Sequence, residues 1–288
     1  MEALAHPATS ALRLLALVVF VPLGLARGQL MSIGTRQLYI HCSGSGPAPT
    51  VVLEAGAGAN SANFEKVQTQ LEKLTRVCSY DRAGLGKSDK PKGEQTETGI
   101  VDDLHQLLLE VHEPGPYLLV GHSLGGVYVR AFQMRYPKLV KGLVLIDSSH
   151  EEQLNRFTAL SPELGKEFAT QRGMSTYDDM YRLYGQLRPG ATLNWHVDIP
   201  MIVIEHKRPT SPDANSSSAQ SGGLPPVDPA WHEMQADLAH RSTCAQLWEA
   251  PKEGHDIPAE QPDLVVKAVS IVLSEIRNGC PASDDGAK

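Results

Sequence analysis

The sequence predicts a single α/β domain organised around a mainly parallel β-sheet. Short apolar runs of strand type, at residues 50–53, 117–120 and 201–204, alternate with segments whose apolar residues recur at helical spacing. Such alternation is the pattern of βαβ units. The run at 117–120 leads into Gly121-His122-Ser123-Leu124-Gly125, a tight turn that opens a helix. The 288 residues are ample for one large core. With 26 Lys+Arg against 33 Asp+Glu, the formal charge of −7 lacks the basic footprint of a nucleic-acid binder.

Residues 14–26 (LLALVVFVPLGLA) form an uncharged apolar run of 13, shorter than the roughly 20 residues that span a bilayer and interrupted by Pro22. Arg13 precedes it, and Gly24 and Ala26 stand at cleavage-site spacing. This is the pattern of a secretory signal over residues 1–26, which places the remaining 27–288 in a secreted or periplasmic setting. Retained, the segment would be an N-terminal anchor and the one route to membrane contact.

Residues 37–41 read as a strand before the turn GSGPAP, and 50–53 as a buried strand ending in the glycine-rich EAGAGAN. A helix over 62–75 and a strand over 76–80 follow, then the loop DRAGLGKSD. Leu104, Leu107, Leu108 and Val111 share one face of a helix over 100–111. Strands at 117–120, 143–146, 201–204 and 245–248, with helices at 127–136 and 262–277, complete the alternation. Two segments break it. Residues 148–198 exceed what one crossover helix needs, and Phe157, Leu160, Leu164, Phe168, Tyr177 and Tyr181 suggest a helical lid. Residues 207–229, rich in Ser, Pro and Gly, read as a surface loop.

Ser123 lies in a G-x-S-x-G turn between a strand and a helix, the context a nucleophile elbow requires. Small residues two positions to either side let the turn close, and the helix N-terminus favours developing negative charge. A serine hydroxyl needs a base at neutral pH. His255, in GHDIPAEQPDLV after the last strand, is the candidate. His41, His105, His112, His150, His206, His232 and His240 read as surface or packing residues, and His122 is expected to point away from Ser123. The acid belongs between nucleophile and base in the chain. Asp147, directly after the strand at 143–146, is the first choice; Glu205 and Asp213 are alternatives, Asp213 resting on a loose loop. Oxyanion donors are expected from the amides of Leu124 and of Ala57, in the turn after Leu53.

Nucleotide and metal chemistry are not expected. GLGKS ends like a phosphate-binding loop, but the first glycine of that motif would fall at Asp81. His232-Glu233 has no second histidine at H-E-x-x-H spacing, and no dinucleotide fingerprint sits between a strand and its helix. Neither a cofactor nor a metal is called for. Cys42, Cys78, Cys244 and Cys280 are an even set suited to an oxidising compartment, and their spacings alone allow three pairings.

Together VVLEAGAGANSANF, YDRAGLGKSD, VGHSLGGVYVR, LVLIDSS and GHDIPAEQPDLV resemble the α/β-hydrolase superfamily over residues 37–278. The resemblance implies an eight-stranded-type, mostly parallel sheet with helices on both faces and a cap inserted near 148–198. Two departures stand out: Ala55-Gly56 where many members have His-Gly, and no G-x-x-D after the strand at 201–204, which favours Asp147 as the acid. The resemblance also implies disulfides Cys42–Cys78 and Cys244–Cys280. The activity it implies is cleavage of a carboxylic ester of a small or medium apolar substrate by a Ser123-His255-Asp147 triad. Thioesterase, peptidase, acyltransferase and cofactor-free perhydrolase chemistries share the scaffold, as do silent ligand-binding proteins.

Overall fold

The structure is a computed structural model that describes residues 28–93, 95–165, 195–207 and 228–280. The segment expected to be a secretory signal and residue Asp213 lie outside the described residues, as do 166–194 of the expected lid. Eight strands are described: β1 (Gln29–Ser32), β2 (Gln37–Ser43), β3 (Thr50–Glu54), β4 (Val77–Tyr80), β5 (Tyr117–His122), β6 (Val140–Ile146), β7 (Met201–Glu205) and β8 (Ala245–Glu249). They form one sheet in the order β1-β2-β4-β3-β5-β6-β7-β8. β2 is antiparallel to both neighbours, and every pairing from β4 to β8 is parallel. The carboxyl ends of β3, β5, β6, β7 and β8 therefore share one rim of the sheet.

Every residue of β3, β5 and β7 is buried, because helices cover both faces; this is why these strands read as continuous apolar runs. Alternate side chains feed two cores. Leu118 and Val120 join one with Phe64, Val67 and Val269, while Tyr117 and Leu119 join the other with Leu104, Leu108 and Phe132. The first core is covered by α1 (Glu65–Leu71), which continues a 3₁₀ turn, and by α6 (Ile257–Glu260) and α7 (Pro262–Asn278). The second lies under α2 (Glu97–Glu110) and α3 (Leu124–Arg135). The Thr96 hydroxyl caps α2 by accepting from the Gly99 amide at 3.1 Å.

Two further helices are described: α4 (Gln153–Leu160), inside the expected insertion, and α5 (Asp228–Ala239), beyond it. Phe157 of α4 clusters with Leu164 and with Trp231 and Met234 of α5. The expected loop over 207–229 is thus corrected at its end, since α5 begins at Asp228 and turns Trp231, Met234 and Leu238 inward. β1, a mostly exposed edge strand of four residues, was not expected from the sequence.

Disulfides join Cys42 to Cys78 and Cys244 to Cys280. The first links partners in register across β2 and β4, and the second ties the start of β8 to the end of α7. No described helix is long and apolar enough to cross a membrane.

Candidate active site

Ser123 stands between β5 and α3 with φ 52° and ψ −122°, a left-handed conformation costly for a residue with a Cβ. The elbow holds because its neighbours are glycines. A Cβ on Gly125 would lie 2.3 Å from the Glu54 carbonyl oxygen, and one on Gly121 would lie 2.6 Å from that of Gly125. The first turn of α3 thus presses directly on the end of β3. The β3 loop approaches Ser123 in turn, since a Cβ on Gly56 would lie 3.2 Å from the Ser123 Cβ.

Asp147 follows β6 at the same rim, fully buried and with φ 44°. His255, in the loop after β8, donates from Nδ1 to Asp147 Oδ2 at 2.5 Å. The histidine side chain is half exposed while the aspartate is sealed, as suits a base that must meet substrate and an acid that must only orient it. Asp147 accepts three further bonds, from Nδ1 of His206 at 2.9 Å, from the His206 amide at 3.2 Å, and from Nε1 of Trp231 at 2.6 Å. Burial alone would push the Asp147 carboxyl up. The bonds from His206 and His255, with the charge those rings can carry, hold it well below the usual carboxylate range.

Glu205 ends β7 on the same rim, but its carboxylate bonds to Nδ1 of His232. Of the three acids weighed from sequence, the structure brings Asp147 to His255.

His206 departs from expectation, and His122 takes a partner that the sequence did not suggest. His122 Nε2 donates to the backbone carbonyl of His255 at 2.8 Å, and the two rings lie 4.8 Å apart, so its side chain belongs to the site. Burial, reinforced by neighbouring His255, pushes the His122 ring down to about 4 and keeps it neutral near pH 7. His206, read from sequence as a surface or packing residue, sits on the candidate acid. Its signal was its place one residue beyond the strand at 201–205. Trp231 carried the helical spacing with Met234 and Leu238 that marks α5.

The amides of Ala57 and Leu124 have no acceptor among the described residues. Leu124 is the first residue of α3, whose amides have no intrahelical partner. The Ala57 amide lies in a turn closed by the Ala59 amide on the Gly56 carbonyl at 3.4 Å, with Gly58 at φ 66°. Leu124 follows Ser123 directly, and Gly56, the residue before Ala57, faces it.

Residues 49–177 match the family described as alpha/beta hydrolase fold. An esterase from Thermogutta terrifontis, solved with malate bound, superposes with a TM-score of 0.62 at 19% identity, covering 87% of this chain and 99% of that one. The chain has the α/β-hydrolase fold. The epoxide hydrolase CorEH shares the fold at a TM-score of 0.56 and 18% identity, covering 87% of this chain and 99% of that one. A probable transporter, efuK, from Hormonema carpetanum is 23% identical over 85% of this chain, which spans 42% of its length. In two other curated relatives, from Schizosaccharomyces pombe and Saccharomyces cerevisiae, the match is 33% and 31% identical and spans 30% and 21% of their own length.

Proposed function

We propose that the protein is a serine hydrolase that cleaves a carboxylic ester through an acyl-enzyme, with Ser123 as nucleophile, His255 as base and Asp147 as orienting acid. The observation that carries this reading is the His255–Asp147 hydrogen bond at the rim that also bears the Ser123 elbow.

The geometry supports the following roles. With Nδ1–H committed to Asp147, the free His255 nitrogen, Nε2, takes the Ser123 proton as Oγ attacks the carbonyl carbon. The carbonyl oxygen becomes an oxyanion facing the Ala57 and Leu124 amides. The tetrahedral intermediate collapses, and His255 Nε2–H gives its proton to the departing alkoxide. Water then attacks the acyl-Ser123 ester; His255 takes its proton and returns one to Ser123 Oγ, leaving acid and free enzyme. Asp147, well below its ordinary pKa, remains the anion that stabilises the imidazolium in both halves.

Chemistry that starts from a carboxylate nucleophile, as haloalkane dehalogenation does, is not open to a serine at position 123. The small or medium apolar substrate, the absence of a need for cofactor or metal, and secretion after removal of residues 1–26 belong to the same reading. Two disulfides support an oxidising compartment. Fluorophosphonate labelling of the wild type, mapped to Ser123, with loss of p-nitrophenyl ester turnover in Ser123→Ala, is the expected result. Undiminished turnover in a folded Ser123→Ala protein would refute it.

A further inference from the structure

Against the β3 loop lies a buried ionic cluster that the triad does not use. Arg82, just past β4 and 6% exposed, pairs with the carboxylate of Glu54. Tyr80 donates to the other oxygen of that carboxylate, and the guanidinium lies over the ring of Tyr128, 5.2 Å from its centre. The charge of Arg82 is thus answered within the core. Two further donors go to backbone: Nη1 to the Ala55 carbonyl at 2.6 Å and Nη2 to the Gly56 carbonyl at 2.5 Å.

The second bond has a geometric consequence. The Gly56 carbonyl and the Ala57 amide belong to one planar trans peptide, so C=O and N–H point in opposite directions. A guanidinium that fixes the carbonyl on one side fixes the amide on the other. That amide has no acceptor among the described residues, and the adjacent Gly56 Cα faces Ser123 and His122.

We propose that Arg82 is a positioning residue of the oxyanion hole: it clamps the Gly56–Ala57 peptide so that the Ala57 amide faces the intermediate on Ser123. This rests on the serine-hydrolase reading. Without the clamp the peptide keeps only the long 3.4 Å bond from the Ala59 amide to the Gly56 carbonyl, and Gly56 and Gly58 leave the loop little steric restraint. An amide that must be reoriented during the reaction stabilises the oxyanion less than one already aimed. Glu54 and Tyr80 serve the same end by holding the guanidinium.

Arg82→Lys keeps a cation for Glu54 but cannot reach both the carboxylate and the Gly56 carbonyl with a planar fork. The expected result is a fall in kcat of about tenfold to hundredfold, a fraction of what loss of a whole oxyanion donor costs, with KM changed less than threefold. Affinity for a trifluoromethyl ketone, which forms the tetrahedral adduct on Ser123, should fall by the same factor as kcat. A crystal structure of the variant should show the Gly56–Ala57 peptide turned. The double variant Glu54→Gln/Arg82→Gln, free of unpaired charge, covers the case in which Arg82→Lys fails to fold and should show the same kcat and ketone losses.

Unchanged kcat, or a lower kcat with ketone affinity intact, would overturn the proposal, as would an unturned peptide. The crystal structure also separates this proposal from the reading beneath it. If wild-type Ser123 took no fluorophosphonate label, the serine-hydrolase reading would fall, while the orientation of the peptide in the variant would still decide the role of Arg82.

Discussion

His206 places its Nδ1 atom 2.9 Å from Asp147 Oδ2, the same oxygen that receives the bond from His255. The candidate acid thus lies between two imidazoles, with the Trp231 indole on its other oxygen. A carboxylate held by so many donors has little freedom to rotate.

Replacing the acid tests its assignment. Asp147→Asn keeps the shape of the site but lets His255 take the wrong tautomer, and kcat should fall by about 10⁴. Glu205→Gln, whose native partner is His232, should leave kcat within a fewfold of wild type. Steady-state ester hydrolysis by both variants checks this, and the reverse ranking would move the acid to Glu205.

Removing the second imidazole should have a smaller effect. His206→Gln withdraws one side-chain bond from Asp147, and about tenfold in kcat is expected, the equivalent of ~1.4 kcal/mol for one bond to a charged group. The backbone amide of residue 206 and Trp231 remain on the carboxylate. A kcat equal to that of wild type would mean that Trp231 and His255 fix Asp147 unaided.

Acid should weaken the fold in two windows. Burial pushes the rings of both His122 and His150 down from 6.5 to about 4; His255 adds to this at His122, and Arg130 and Arg241 add at His150. Between those values the unfolded chain binds protons that the folded chain does not, so stability falls as pH drops from about 6.5 to about 4. The loss is on the order of 3 kcal/mol per ring and is complete near the lower value. Asp147 adds a loss of the same sign in a lower window: its pKa is lowered by folding, so its stabilisation is present above the ordinary carboxylate range and is lost below it. Urea midpoints from pH 7.5 to 3 should decline through the first window, and a flat profile there would contradict the burial of the rings. His150→Gln should flatten part of the slope.

Two glycines of the elbow should behave differently. A Cβ at Gly125 meets two backbone carbonyls, at 2.3 Å and 2.7 Å, which cannot give way, so Gly125→Ala should destabilise by more than ~3 kcal/mol or yield no soluble protein. At Gly56 the nearest atoms are 3.2 Å and 3.3 Å away and belong to the side chains of Ser123 and His122. Gly56→Ala should therefore fold, with a Tm within about 5 °C of wild type, and lose roughly tenfold in kcat by displacing the nucleophile. Thermal melts and kinetics on the two variants separate packing from chemistry.

Much of this was legible in the chain because its signals were local. The central strands are buried on both faces and so appear as uninterrupted apolar runs, and the elbow announces itself by glycines at fixed offsets from Ser123. β1 was illegible because an edge strand of four residues, QLMS, is mostly exposed and carries no pattern. α5 was hidden by the Ser/Pro/Gly stretch before it, although Trp231, Met234 and Leu238 already repeat at helical spacing. The surroundings of Asp147 were illegible for another reason. His206, Trp231 and His255 come from three different elements, and only the folded sheet assembles them. Arg82 looked like part of a loop motif; its bonds to Ala55 and Gly56 depend on β3 and β4 lying side by side.

The sheet order also sets when the site can first exist during synthesis. Asp147 and His255 are 108 residues apart, and the histidine reaches its partner only from the loop after β8, the last strand to emerge from the ribosome. The nucleophile, its elbow and the β3 loop are made well before that. A nascent chain can thus complete most of its sheet before Ser123 has its proposed base, and the disulfide from Cys244 to Cys280 then fastens the late-arriving strand to α7.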